Sequence, residues 1–398
     1  MEDGRKILYI LAPNDRFNYG DLLFPYIIKH YLAGCIDEFI CCSTTDSDLS
    51  ARGGDKTRGL RILNRLNARN KNILVVAGGE SLLVNWECIL SYVFPLIDSV
   101  IRSSYKPIRK FFGNITYSLL PYWLKLKGIK TSFPYTIGRN ELRHLHMVLY
   151  NSVGGTELRS LPKALTKESL FLLTDSDYLA VRDNLTNEIL SEYGVSSSLV
   201  ADSAILMSEI FDNVYLDIRT TLAKDLFQDS PYVFFQINNG IASRDYIKVV
   251  KQLQEIREIT KCKICLCLIG TALGHEDDVA LEVIYKQIDD KDVVLVKSPT
   301  IWDIMSLIKN ARLFVGTSLH GVITAMSFEI PFVGVEVKKI RTYLETWTPE
   351  TSKLLFCKID QISKRTITAL EIGPVNADKQ KESVKNSFEK MRKMISML

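Results

Sequence analysis

Residues Ala311–Gly334, ARLFVGTSLHGVITAMSFEIPFVG, admit few folds. Leu313–Val315 predicts a buried strand and Gly316-Thr317-Ser318 a small polar turn. Leu319–Phe328 reads as a helix, and a second strand starts from Pro331. Two strands joined through a helix form a βαβ unit with parallel strands. The only ionisable side chain at its turn is His320. In open α/β sheets ligands sit beyond the carboxyl ends of the strands, where helix N-termini aim free N–H groups outward. Thr317 and Ser318 are N-cap residue types whose hydroxyls either cap the helix or meet an anion. An imidazole placed there exchanges protons near neutral pH beside an anion site; the plainer alternative is a surface histidine on a capped helix.

The same alternation runs along the rest of the chain. Lys6–Ala12, Glu38–Cys42, Ile73–Ala77, His146–Asn151, Tyr178–Val181 and Leu199–Asp202 read as strands. A helix begins near Asp21, with Leu22, Leu23, Tyr26, Ile27 and Tyr31 on one face; others cover Lys167–Leu173 and Asn184–Tyr193, the latter stopped by Gly194. Ser43–Asn72 is polar and reads as a loop with a short helix. The polar stretch Asn213–Ser230 precedes a second series, with strands at Tyr232–Ile237, Lys263–Ile269 and Val293–Val296. Its helices fall at Asp245–Ile259, Glu276–Gln287 and Trp302–Lys309. Strands alternating with helices give parallel sheets, and 398 residues are enough for two cores. The expected fold class is therefore α/β, with two Rossmann-like domains, 1–222 and 223–398, facing a cleft.

Composition narrows the function classes. A 46% hydrophobic and 24% charged chain is ordinary for a soluble protein. No apolar run reaches a membrane span and no secretory leader is recognisable, so the expected location is the cytoplasm. Eight cysteines raise the question of disulfides or metal. Cys265 and Cys267, however, alternate along an apolar strand, and Cys41-Cys42 end another. Cys262-x-x-Cys265 has no second pair, so buried thiols and no metal site are expected. A net charge of +4 does not point to nucleic acid. Its distribution is uneven: Ser99–Asn140, inside an insertion at about 85–145, has no acidic residue. It carries Arg102, Lys106, Arg109, Lys110, Lys125, Lys127, Lys130 and Arg139 among eight aromatics that include Tyr105, Tyr122 and Trp123. Such a segment suits the surface of an anionic membrane; the alternative is a basic helical insertion with its aromatics in the core.

Further motifs stand near strand ends: Asn18-Tyr19-Gly20-Asp21, Ala77-Gly78-Gly79-Glu80, Val181-Arg182-Asp183, Ala201-Asp202-Ser203 and Glu336–Arg341. In this order, with G-T-S-L-H-G and I-P-F-V-G, the set resembles the polysaccharide pyruvyl transferases. The resemblance covers most of the chain outside the insertion and rests on the ordered set, not on one motif. It implies the GT-B architecture, with the amphipathic segment Asp378–Leu398 crossing back onto the first domain. It also implies transfer of the enolpyruvyl unit of phosphoenolpyruvate to two hydroxyls of one sugar, as a cyclic ketal. No cofactor or metal is implied; phosphoenolpyruvate is the co-substrate. The acceptor is expected to be a lipid-linked oligosaccharide or polysaccharide intermediate, with peripheral contact to an anionic membrane and no nucleic acid.

Carried over residue by residue, the resemblance makes His320 and Asp21 the catalytic candidates. Arg182, Thr317, Ser318, Leu319, Gly321, Lys339 and Arg341 become donor-binding candidates on the second-domain side. Asn18, Gly20, Gly78, Gly79 and Glu80 become acceptor-binding candidates in the first domain. Each has a structural alternative: Asp21 as a helix cap, Arg182 in an ion pair with Asp183, paired glycines as packing, and Glu336–Arg341 as a solvated helix. His275 reads as a surface residue. The chain departs from the family pattern at Ser318, where arginine is common, and at Glu80, where a third glycine is usual. A GT-B glycosyltransferase using a nucleotide sugar, or a non-catalytic glycan-binding member, is the competing reading.

Overall fold

The computed structural model describes residues 4–90, 94, 119, 122–160, 163–222, 226–227, 230–272, 275–288 and 290–398. The first domain is built on eight strands: β1 (Lys6–Leu11), β2 (Glu38–Ser43), β3 (Ser47–Asp48), β4 (Lys56–Gly59), β5 (Lys71–Ala77), β6 (Leu145–Val153), β7 (Tyr178–Val181) and β8 (Ser198–Leu199). They lie in the order β3-β4-β2-β1-β5-β6-β7-β8, and every pair is parallel except β3 with β4. The second sheet holds β9 (Tyr232–Gln236), β10 (Lys263–Cys267), β11 (Val293–Val296), β12 (Leu313–Gly316), β13 (Phe332–Val335) and β14 (Phe356–Cys357). Its order is β11-β10-β9-β12-β13-β14, all parallel. Central strands such as β1 and β5 are nearly continuous apolar runs because helices cover both faces of a parallel sheet.

The helices used below are α1 (Tyr19–Leu32), α2 (Lys163–Thr174), α3 (Asn184–Glu192), α4 (Asn213–Arg219), α5 (Tyr246–Thr260), α6 (Asp277–Gln287), α7 (Ile301–Lys309), α8 (Leu319–Ser327), α9 (Lys338–Trp347), α10 (Ile362–Ile372) and α11 (Asp378–Ser396). One apolar core runs through both domains, from Leu8 and Ile73 to Phe314 and Ile323, and a second fills the other face of the first sheet. Helix α11 returns to the first domain. Phe388 stacks on Tyr31 at 4.8 Å, Ser387 Oγ lies 3.1 Å from Tyr178 Oη, and Ser383 Oγ accepts from Ala201 N–H.

Two expectations change. Ser43–Asn72 is not only loop: β3 and β4 extend the sheet, and Asp46 Oδ1 accepts from Gly59 N–H to hold the turn. The stretch expected as a strand to Asp202 pairs only at Ser198–Leu199. Asp202 instead caps the turn that follows, its Oδ1 accepting from Ala204 N–H. Within the insertion, Phe133 and Tyr135 are core residues, whereas Tyr122 is 65% and Leu126 85% exposed beside the exposed Lys125 and Lys127. Arg102, Lys106, Arg109 and Lys110 lie outside the described residues. The cysteines among the described residues are free thiols, with Cys262, Cys265 and Cys267 buried.

Candidate active site

The carboxyl ends of the two sheets meet along a seam stitched by backbone. Tyr19 N–H donates to Ile269 O, Thr271 N–H donates to Phe17 O, and Asn18 bridges Gly270. The start of α1 is thereby fixed against the second sheet. Helix α8 reaches the same seam from the other side. Ser318 is its N-cap, Oγ accepting from Gly321 N–H at 3.2 Å. Helix α9 begins there too, at Lys338, so that Lys339 lies in its first turn. Helix starts carry partial positive charge, so three of them converging make a place for an anion.

His320 stands at the centre. Its imidazole is 7% exposed, edge-on to the Phe24 ring at 5.4 Å, and its Nδ1 edge rests on Gly20. A Cβ at position 20 would fall 1.8 Å from Nδ1. Gly20 is therefore required by the histidine ring. On the opposite edge, Nε2 lies 3.5 Å from Asp202 Oδ2, and no hydrogen-bond partner reaches it among the described residues.

Asp202 belongs to a chain of buried charges. Its Oδ2 accepts from Arg182 Nη1 at 3.1 Å, while Arg182 Nη2 donates to Glu80 Oε1 at 2.9 Å. Glu80 Oε2 in turn accepts from the backbone N–H of Thr156 at 3.0 Å. Burial alone would raise the Asp202 carboxyl; His320 and Arg182 outweigh it, and the carboxyl is held below its usual range. Arg182 is 2% exposed with two carboxylates on its guanidinium. It was expected as a ligand for the donor, and its guanidinium is held between these two carboxylates. The structural alternative is corrected, because Asp183 is not its partner. Asp183 caps α3, accepting from Thr186 N–H at 2.8 Å. Glu80, expected at the acceptor, is likewise committed to Arg182 and Thr156.

Asp21 comes into the same space from α1. It is 6% exposed, its Oδ2 accepts from Asn18 Nδ2 at 2.7 Å, and its Oδ1 lies beside Gly79. Burial raises its carboxyl above the usual range, against the pull of His320, Lys339, Arg16 and Arg182. Such a group holds a proton at a higher pH than an exposed aspartate. Lys339 is partly buried, and its ammonium has neither a hydrogen bond nor an ion pair among the described residues. Its ammonium is pushed down by burial and by Arg182, with Glu80, Asp21 and Asp277 opposing. An unpaired ammonium inside a seam is a ready counter-charge for an anion.

The other predicted residues are placed as follows. The Thr317 hydroxyl accepts from Asn238 N–H and its backbone N–H donates to Gln236 Oε1, so it braces the strand ends. Leu319 is core, and Gly321 is packing: a Cβ there would meet Phe314 Cζ at 2.2 Å. Gly78 has φ +63° and lies under Phe24, whose ring leaves no space for a side chain. Arg341 is exposed, 3.9 Å from Glu345. Residues two apart on a helix point about 200° apart, so α9 cannot turn both Lys339 and Arg341 into the seam. His275, read as a surface residue, is partly buried against Gly270. Burial, then Lys339 and His320, push its imidazole down to about 4. The signal that it belongs here was its place after β10, at a strand's carboxyl end.

Comparison with known proteins agrees with this architecture. Solved structures of similar shape include the UDP-GlcNAc 2-epimerase from Methanocaldococcus jannaschii, with TM-score 0.55 and 12% identity over 97% of this chain and 99% of that one. S. aureus MnaA with UDP gives TM-score 0.57 and 12% identity over 99% and 98%. The UDP-GlcNAc 2-epimerase from Neisseria meningitidis bound to UDP-GlcNAc gives 0.54 and 13% over 98% and 100%. At such identities the likeness is one of fold, and that fold is GT-B. No curated protein matches the chain. The family model for polysaccharide pyruvyl transferase, however, matches residues 18–339, from Asn18 beside the first helix to Lys339 at the seam. The chain belongs to the polysaccharide pyruvyl transferase family.

Proposed function

We propose that the protein transfers pyruvate from phosphoenolpyruvate to two hydroxyls of one sugar in a lipid-linked precursor of a cell-surface polysaccharide, such as a capsule or exopolysaccharide. The observation that carries this reading is the meeting of a protonatable Asp21, His320 and the unpaired Lys339 where three helices begin. Lys339 and the helix starts take the donor's phosphate and carboxylate. A proton then adds to the donor's methylene carbon, making it methyl, while one sugar hydroxyl bonds to the adjacent carbon and gives up its own proton. Asp21 delivers the first proton and His320 removes the second. The C–O bond to phosphate breaks, the second hydroxyl bonds to the same carbon, and its proton leaves with phosphate or on His320. The ketal closes with inorganic phosphate as the other product.

We place the reaction at the cytoplasmic face of a membrane. No helix of the described residues is long and apolar enough to cross one. The exposed Tyr122 and Leu126, with Lys125 and Lys127, fit peripheral contact with anionic lipid. Calorimetric titration with phosphoenolpyruvate, in the presence of membranes bearing lipid-linked glycans, tests the donor. Saturable binding that Lys339→Ala weakens supports the reading. Absence of that binding, with saturation by a nucleotide sugar, would replace it with glycosyl transfer.

A further inference from the structure

We infer that Asp202, clamped by Arg182 and Glu80, is the positioning residue of His320: it faces Nε2 and holds the ring's proton on that nitrogen. The inference rests on the reading of His320 as a proton-transfer group. It follows from what surrounds each edge of the ring. Nε2 is buried, and Asp202 Oδ2, at 3.5 Å, is the negative group it faces. Nδ1 rests directly against Gly20 at the start of α1.

The clamp removes the freedom Asp202 would need to turn away. One carboxylate oxygen is committed to its own turn through Ala204 N–H, at 3.1 Å. The other is held by Arg182, whose second amino group is held by Glu80, whose second oxygen is held by Thr156. Gly154 completes the fit: a Cβ there would lie 2.7 Å from Glu80 Oε1 and 2.9 Å from Arg182 Nε. Trp347 Nε1 secures the arginine backbone by donating to Arg182 O at 2.8 Å.

Charge points the same way. Glu80, Arg182 and Asp202 together carry one net negative charge, with Arg182 and Asp202 buried and Glu80 partly so. A proton taken up by His320 during turnover is stabilised there without any rearrangement. The arginine is spent on geometry, which leaves Lys339 to meet the donor.

The test is nitrogen NMR on the full-length protein with 15N-labelled histidine, in which five histidines give resolvable ring signals. His320→Ala identifies the relevant pair. The expected result is the Nε2–H tautomer in the wild type and a mixed population in Asp202→Asn. Phosphate release in that variant should fall roughly 10²–10⁴-fold, with phosphoenolpyruvate affinity within about 2-fold. Glu80→Gln, a milder change, should shift the tautomer ratio in the same direction. The wild-type spectrum alone is decisive should Asp202→Asn fail to fold: an Nδ1–H tautomer overturns the inference. An Nε2–H tautomer in a protein that does not bind phosphoenolpyruvate keeps the positioning and sinks pyruvyl transfer instead.

Discussion

Replacing Gly20 with alanine separates the placement of His320 from the stability of the fold. The new Cβ would lie 1.8 Å from Nδ1 and 2.0 Å from Cγ, whereas ordinary contact begins near 3.4 Å, so ring and helix must part by about 1.6 Å. Neither side gives easily. Tyr19, one residue earlier, is tied to Ile269, and the ring is held between Phe24 and Asp202. Overpacking of this kind costs about 1–3 kcal/mol. Alanine in a helix recovers about 0.5–1 kcal/mol of that. The net loss, about 0–2.5 kcal/mol, is below the 5–15 kcal/mol typical of a folded protein, so the variant stays folded. Moving a proton-transfer group by about 1 Å costs roughly 10²-fold in rate, or about 2.7 kcal/mol of barrier. Thermal unfolding, histidine NMR and phosphate release from phosphoenolpyruvate read the three quantities separately. Gly240→Ala is the control, since its Cβ would meet nothing nearer than Asn238 Oδ1 at 3.6 Å. Unmoved His320 signals together with wild-type phosphate release would refute the steric argument.

Lys339→Ala should weaken phosphoenolpyruvate binding at least about tenfold, as expected for losing a charge-assisted contact of roughly 1.5–3 kcal/mol. Arg341→Ala should change it less than about twofold, because that exposed pair faces solvent; equal effects of the two, by calorimetry, would count against the inward orientation of Lys339. Arg182→Ala strands the buried Asp202 and the partly buried Glu80, and the expected cost of about 3–5 kcal/mol should appear as a large fall in the melting temperature, with Arg182→Lys recovering only part. A melting temperature close to the wild type would mean the clamp is not buried as described. His275 is held neutral, its imidazole near 4 in the fold against about 6.5 in an unfolded chain. The folded state therefore binds fewer protons than the unfolded one between those values. The stability from His275 is present above about pH 6.5 and is lost as pH falls towards 4. His275→Gln should flatten the fall in melting temperature over that window, and an unchanged slope would remove His275 from the seam.

Much of the fold could be read from local pattern. Strands such as Ile73–Ala77 and Tyr232–Gln236 are buried on both faces, and continuous apolar runs betray them. The edge strand β3 and its neighbour β4 are short and polar, so nothing local distinguishes them from loop. The site was legible as a set of motifs but not as a set of contacts. His320, Asp21 and Lys339 do converge, and their positions after strands carried that signal. The partners of Arg182 are Asp202, twenty residues on, and Glu80, over a hundred residues back. Pairing at those separations leaves no trace in spacing, so a structural arginine and a ligand-binding one look alike. The glycines tell a similar story. Gly20, Gly78 and Gly321 read as ligand approaches, and the fold uses them to seat His320, Phe24 and Phe314.

The return of α11 to the first domain sets an order of events during synthesis. The last strand of the first sheet ends at Leu199, yet Val384, Phe388, Met391 and Ile395 complete its core, and Lys6 Nζ donates to Ile395 O. At about 5–20 residues per second, the ribosome needs roughly 10–35 s to travel from the end of β8 to the start of α11. Throughout that interval the nascent first domain displays an uncovered apolar groove around Tyr31, Tyr178 and Ala201.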